Sequence, residues 1–92
     1  MNNTSIINNI ISLLRNKFLI YDELLIIENW DEPLTGDIFM LTAIDLAYLL
    51  FELEKIYEIR VLEKQLISHG FYSISEIYKT IESSLCIEYN NE

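Results

Sequence analysis

The sequence predicts a small all-α domain: a chain of 92 residues that is 51% apolar, with two glycines, one proline, and apolar side chains recurring at steps of three and four in three separate stretches. So few chain breakers leave little room for the turns a sheet needs. The chain is read as a single domain over residues 1–92, with residues 86–92 expected to fray as a polar tail.

The first helix is placed at residues 5–18, where Ile6, Ile7, Ile10, Leu13, Leu14 and Phe18 form one face and Asn8, Asn9, Ser12, Arg15 and Asn16 fall largely between them. Asn3 or Thr4 is the expected cap. Residues 19–36 read as a long loop carrying Trp30, Pro33 and Gly36, and its apolar run at residues 24–27 fits a short helical turn or a strand.

A second helix is expected over residues 41–58, with Leu46, Leu49, Leu50, Leu53 and Tyr57 on the core side. Asp45, Tyr48, Glu52 and Lys55 share an adjacent, solvated side, and Ile44, Ala47 and Phe51 form a third grouping. A short third helix at residues 62–68 ends where Gly70 can take a left-handed conformation, with His69 at that stop. The last helix starts after Ser73, which together with Glu76 has the spacing of a capping box, and Ile74, Ile77, Tyr78, Ile81 and Leu85 supply its inward stripe.

Fifteen acidic against six basic residues give a net charge of −9. Such a charge repels nucleic-acid phosphates and anionic membranes, so the expected partner is a protein or peptide offering a basic surface. Asp37, Asp45, Glu52 and Glu54 interrupt the most apolar region, leaving no run of the roughly 20 residues that a bilayer requires. The start MNNTSIINN lacks the basic flank and small-residue pattern of a secretory signal, which places the chain in the cytoplasm. Cys86, the only cysteine, can form no internal disulfide, and His69 has no companion ligands for a metal. Carboxylate pairs such as Asp31 with Glu32 or Glu52 with Glu54 lack a histidine, phosphate loop or metal spacing beside them, so the chain is read as no enzyme, with no catalytic residue, cofactor or metal.

Residues 33–61, PLTGDIFMLTAIDLAYLLFELEKIYEIRV, resemble the prosthetic-group helix of acyl carrier proteins. In that family the helix opens with Gly-x-Asp-Ser-Leu, the serine bearing a phosphopantetheine arm. A leucine-glutamate pair, an aromatic and a β-branched residue then follow at fixed offsets. Counted from Ala43, Leu53 and Glu54 fall on the pair, Tyr57 on the aromatic and Val61 on the β-branched position. Phe71-Tyr72-Ser73-Ile74 is similar to the family's entry into its last helix. The resemblance implies a four-helix bundle with a long loop after helix 1 and a short helix 3.

The attachment position departs from the family. Thr42-Ala43-Ile44 stands where Asp-Ser-Leu is expected, and a methyl group offers no oxygen for the phosphodiester. The resemblance therefore implies a non-carrier binding module that recognises a partner enzyme or peptide, similar to the acyl-carrier-related proteins of bacterial peptide-maturation cassettes. Two other readings stay open: a true carrier modified at a non-standard hydroxyl such as Thr42, and a non-covalent binder of a fatty acid or other apolar ligand between helices 2 and 3. By the same resemblance the partner-binding residues are Ile44, Asp45 and Phe51, with Tyr48 and Glu52 between them on the wheel. Against that role, Phe51 could be buried on helix 3, and Asp45 could simply favour the positive end of its helix.

Overall fold

The computed structural model describes the backbone of residues 3–90 and the side chains of residues 6–86. It contains four helices, α1 (Asn3–Asn16), α2 (Ala43–Tyr57), α3 (Glu63–His69) and α4 (Ile74–Asn90), and no strand among the described residues. The all-α class is thus observed. The helices enclose one apolar core: Ile10 and Leu14 from α1, Leu49 and Leu53 from α2, and Ile74, Ile77 and Ile81 from α4 are all fully buried. Each such side chain contributes about 1.5–3 kcal/mol relative to an exposed one.

Helix α1 stops at Asn16, two residues before the expected end. Leu19 takes φ 58°, which turns the chain so that the Ile20 N–H donates to the Leu14 carbonyl at 3.0 Å. The cap expected at Asn3 or Thr4 depends on side chains outside the described residues. The loop over residues 17–42 forms two short 3-10 turns, Asp22–Leu24 and Ile27–Asn29, and the apolar run at residues 24–27 is therefore neither a strand nor a full helical turn. Only Leu25 of that run is buried.

The loop is stitched to the entry of α4. Leu34, fully buried, donates its N–H to the Tyr72 carbonyl at 2.6 Å, and the Ser75 N–H donates to the Trp30 carbonyl at 2.9 Å. This second bond satisfies one of the donors that the first turn of a helix leaves without a partner. Ser73 accepts from the Glu76 N–H at 3.1 Å, as expected of a cap. The Glu76 carboxylate differs from the expected box: it reaches one residue further back, to the Tyr72 N–H at 2.9 Å.

Glu58 ends α2 in the left-handed conformation, and the Glu54 carboxylate accepts from the Val61 N–H at 2.8 Å, drawing the α2–α3 connection back onto the helix. Gly70 ends α3 with φ 83° and ψ 178° instead of the left-handed helical conformation expected. Glycine alone tolerates that combination. Here it serves packing as well, because a Cβ on Gly70 would stand 2.5 Å from a Glu76 carboxylate oxygen. Helix α3 is tied to α4 by polar bonds, Ser83 donating to Gln65 and the Thr80 hydroxyl donating to the Gly70 carbonyl at 2.6 Å, and Leu66 packs against the core. Helix α4 continues to Asn90, through most of the stretch expected to be a tail, since no glycine or proline interrupts it. Residues 91–92 lie outside the described residues.

Candidate functional site

Helix α2 begins at Ala43 because Thr42 and Asp45 form a full capping box. The Thr42 hydroxyl accepts from the Asp45 N–H at 3.1 Å while the Asp45 carboxylate accepts from the Thr42 N–H at 2.9 Å. Two residues that sequence reasoning assigned to other tasks are thereby engaged locally. Thr42 is the cap, lying outside the helix, and its oxygen is already an acceptor. Asp45 remains part of the surface, but its carboxylate is turned toward the helix start.

Ala43 is exposed in the first turn. Beyond it, the core stripe of α2 is buried as the periodicity requires, with Leu46, Leu49 and Leu53 inside and Leu50 and Tyr57 packed at the margin. Tyr57 fixes the helix against α1 by accepting a hydrogen bond at 2.8 Å from the Asn9 side-chain amide. Ile44, Tyr48 and Phe51 point outward instead. Phe51 is 57% exposed, which excludes its burial against helix 3. Lys55 lies over its ring, with the ammonium 5.3 Å from the ring centre and 3.5 Å from the half-buried Glu52 carboxylate.

The outward side chains frame two shallow apolar depressions. One, of about 300 Å³, lies among Ile44, Ala47, Tyr48 and Phe51. The other, of about 330 Å³, lies between α2 and α3, with Leu46 and Leu50 beneath it and Leu66 and Ile67 across from them. Gly70, Phe71, Tyr72, Ala43 and Ala47 complete its lining. Ala47 lines both depressions.

Of the residues expected to meet a partner, Ile44, Tyr48 and Phe51 are gathered around one depression, whereas Asp45 and Glu52 flank it without lining it. Sequence reasoning missed Met40, Ile67 and Tyr72. Each is more than three-fifths exposed, and Met40, at 77%, is also held at φ 57° immediately before the α2 cap. A bulky apolar residue in that conformation costs local stability. The Met40 N–H donates to the Gly36 carbonyl at 2.8 Å, while its side chain stays at the surface. Periodicity could not separate Ile67 from Leu66, because the seven residues of α3 make only two turns.

Among the described residues no group of three His, Cys, Asp or Glu side chains converges as a metal site, and no helix is long and apolar enough to cross a membrane. Comparison with protein-family models, curated proteins and solved structures finds no match to this chain.

Proposed function

We propose that this protein is a non-carrier relative of acyl carrier proteins, a four-helix bundle of that type with a long first loop and a short third helix, acting as a binding module without a phosphopantetheine arm. Its partner is a protein or peptide with a basic surface, in a peptide-maturation system either the maturation enzyme or the precursor peptide. The observation that carries this reading is the apolar face of α2, where Ile44, Tyr48 and Phe51 stand exposed beside an alanine at the arm-bearing position. Large apolar side chains clustered on a charged domain mark an interaction surface more often than isolated ones do.

The net charge of −9 supplies long-range attraction for a cationic partner, and the aromatic and aliphatic side chains supply the short-range anchor. The Thr42–Asp45 box supports the non-carrier reading from another direction. It gives both residues a structural task that needs no prosthetic group.

The test begins with a partner isolated on immobilised wild-type protein. Ile44→Ser and Phe51→Ala, each with wild-type helicity and unfolding midpoint, should weaken the purified complex by about tenfold or more. Affinity unchanged by both substitutions would exclude α2 as the recognition surface.

A further inference from the structure

Ala47 sits between two apolar depressions of similar size, about 330 Å³ toward α3 and about 300 Å³ toward Phe51. A single small ligand would fill one of them. Two depressions that share Ala47 as a lining residue match two apolar side chains carried by the same chain. Side chains three or four residues apart on a helix have Cβ atoms about 5–6 Å apart, which is the scale of neighbouring cups sharing a wall.

From this geometry we propose that the α2–α3 surface takes a cationic amphipathic helix of the partner, which seats two apolar side chains on either side of Ala47. The proposal rests on the binding-module reading above and adds the groove between α2 and α3 to the docking surface. Ile67 and Tyr72, both exposed, border the first cup as Tyr48 and Phe51 border the second. No side chain among the described residues fills either cup.

Ala43 acquires a positive role in this arrangement. Its methyl group lines the first cup, where a serine carrying a phosphodiester would set a charged, bulky group at the mouth. The charge of the occupant follows from what borders the surface. Asp45 and Glu52 on α2 are carboxylates beside it, Glu63 and Lys64 at the start of α3 offset each other, and Lys55 is already drawn to Glu52 and to the Phe51 ring. With −9 on the whole chain, an anionic segment would be repelled and a lysine- or arginine-flanked one attracted.

The probe is a synthetic helical peptide of leucine and lysine, with leucines four residues apart, titrated into isotopically labelled full-length protein and followed by amide chemical shifts. Shifts are expected on both sides of Ala47, at Ala43 and Ile67 and at Ile44 and Phe51. Ile67→Ser and Phe51→Ser should each weaken binding by about tenfold, and Ala47→Gln, which narrows both cups at an exposed helical position, by more. Shifts confined to Ile44 and Phe51, with Ile67→Ser silent, would overturn the two-cup arrangement and leave docking on α2 intact. Shifts on neither side would overturn both. Equal binding of a leucine-glutamate peptide, or tighter occupation of the first cup by palmitate than by the cationic peptide, would also refute the proposal, the latter by making the groove a lipid site.

Discussion

Thr42 and Asp45 satisfy each other's backbone N–H groups across the start of α2, at 3.1 and 2.9 Å. A helix start left without such partners loses about 1 kcal/mol. Thr42→Ala should therefore lower the unfolding midpoint by about 4–8 °C, as expected for a domain of this size. Thr42→Ser, which keeps the acceptor, should leave it nearly unchanged. Calorimetry on the two variants checks the assignment, and equal midpoints would deny the cap its energetic role.

Charge and capping are separable at Asp45. Asp45→Asn retains a side-chain acceptor oxygen for the Thr42 N–H and removes one negative charge, whereas Asp45→Lys would abolish both. With a purified partner, Asp45→Asn should slow association in a salt-dependent manner and leave dissociation alone. Phe51→Ala should do the reverse, raising the dissociation rate by about tenfold. Surface-capture kinetics at two salt concentrations read both effects.

Gly70 is constrained twice, by its φ of 83° and by the Glu76 carboxylate 2.5 Å from where a Cβ would stand. Gly70→Ala should cost about 1–3 kcal/mol in urea unfolding. In a Glu76→Gly background the steric part disappears, so the same substitution should cost less there. Additive losses would place the whole effect in the backbone.

Much of the fold was legible because apolar periodicity reports burial directly. The stripes Leu46-Leu49-Leu53 and Ile74-Ile77-Ile81 are buried as spaced, and Ser73 caps α4 as its position suggested. Where partners lay far along the chain, the sequence was silent. The Asn9–Tyr57 bond, the Ser83–Gln65 bond and the Leu34–Tyr72 backbone bond join distant segments, and no local pattern announces them. The motif carrying the family resemblance has fold tasks here: Leu53 fills the core, Glu54 holds the Val61 N–H, and Tyr57 ties α2 to α1. On the candidate site, the wheel grouped Ile44, Ala47 and Phe51 correctly but could not say whether α3 covered them. Tertiary packing decides that, and α3 leaves Phe51 exposed.

Tyr78 provides a pH signature. Burial and the hydrogen bond its phenol donates to Glu82, at 2.8 Å, together with that carboxylate's negative charge, raise its pKa above the usual 10.0. The folded state then holds this proton more tightly than the unfolded one. The corresponding stability is fully present below the ordinary tyrosine pKa and is lost as pH rises through the raised value. In an ultraviolet titration Tyr78→Phe should remove a part of the tyrosine transition lying above pH 10.0, and Glu82→Gln should move that part toward lower pH. A titration curve unaltered by Glu82→Gln would sever the link.

Whether this protein works without a covalent arm is read most directly by intact mass, before and after incubation with coenzyme A and a promiscuous phosphopantetheinyl transferase. Wild-type protein should keep its mass, because Ala43 has no hydroxyl and the Thr42 oxygen is engaged in the cap. Ala43→Ser, tolerated at an exposed helix start at about 0.5 kcal/mol or less, should be modified poorly alone and better with Thr42→Asp. A gain of one phosphopantetheine unit by the wild-type chain, mapped to Thr42 or any other hydroxyl, would contradict the non-carrier assignment.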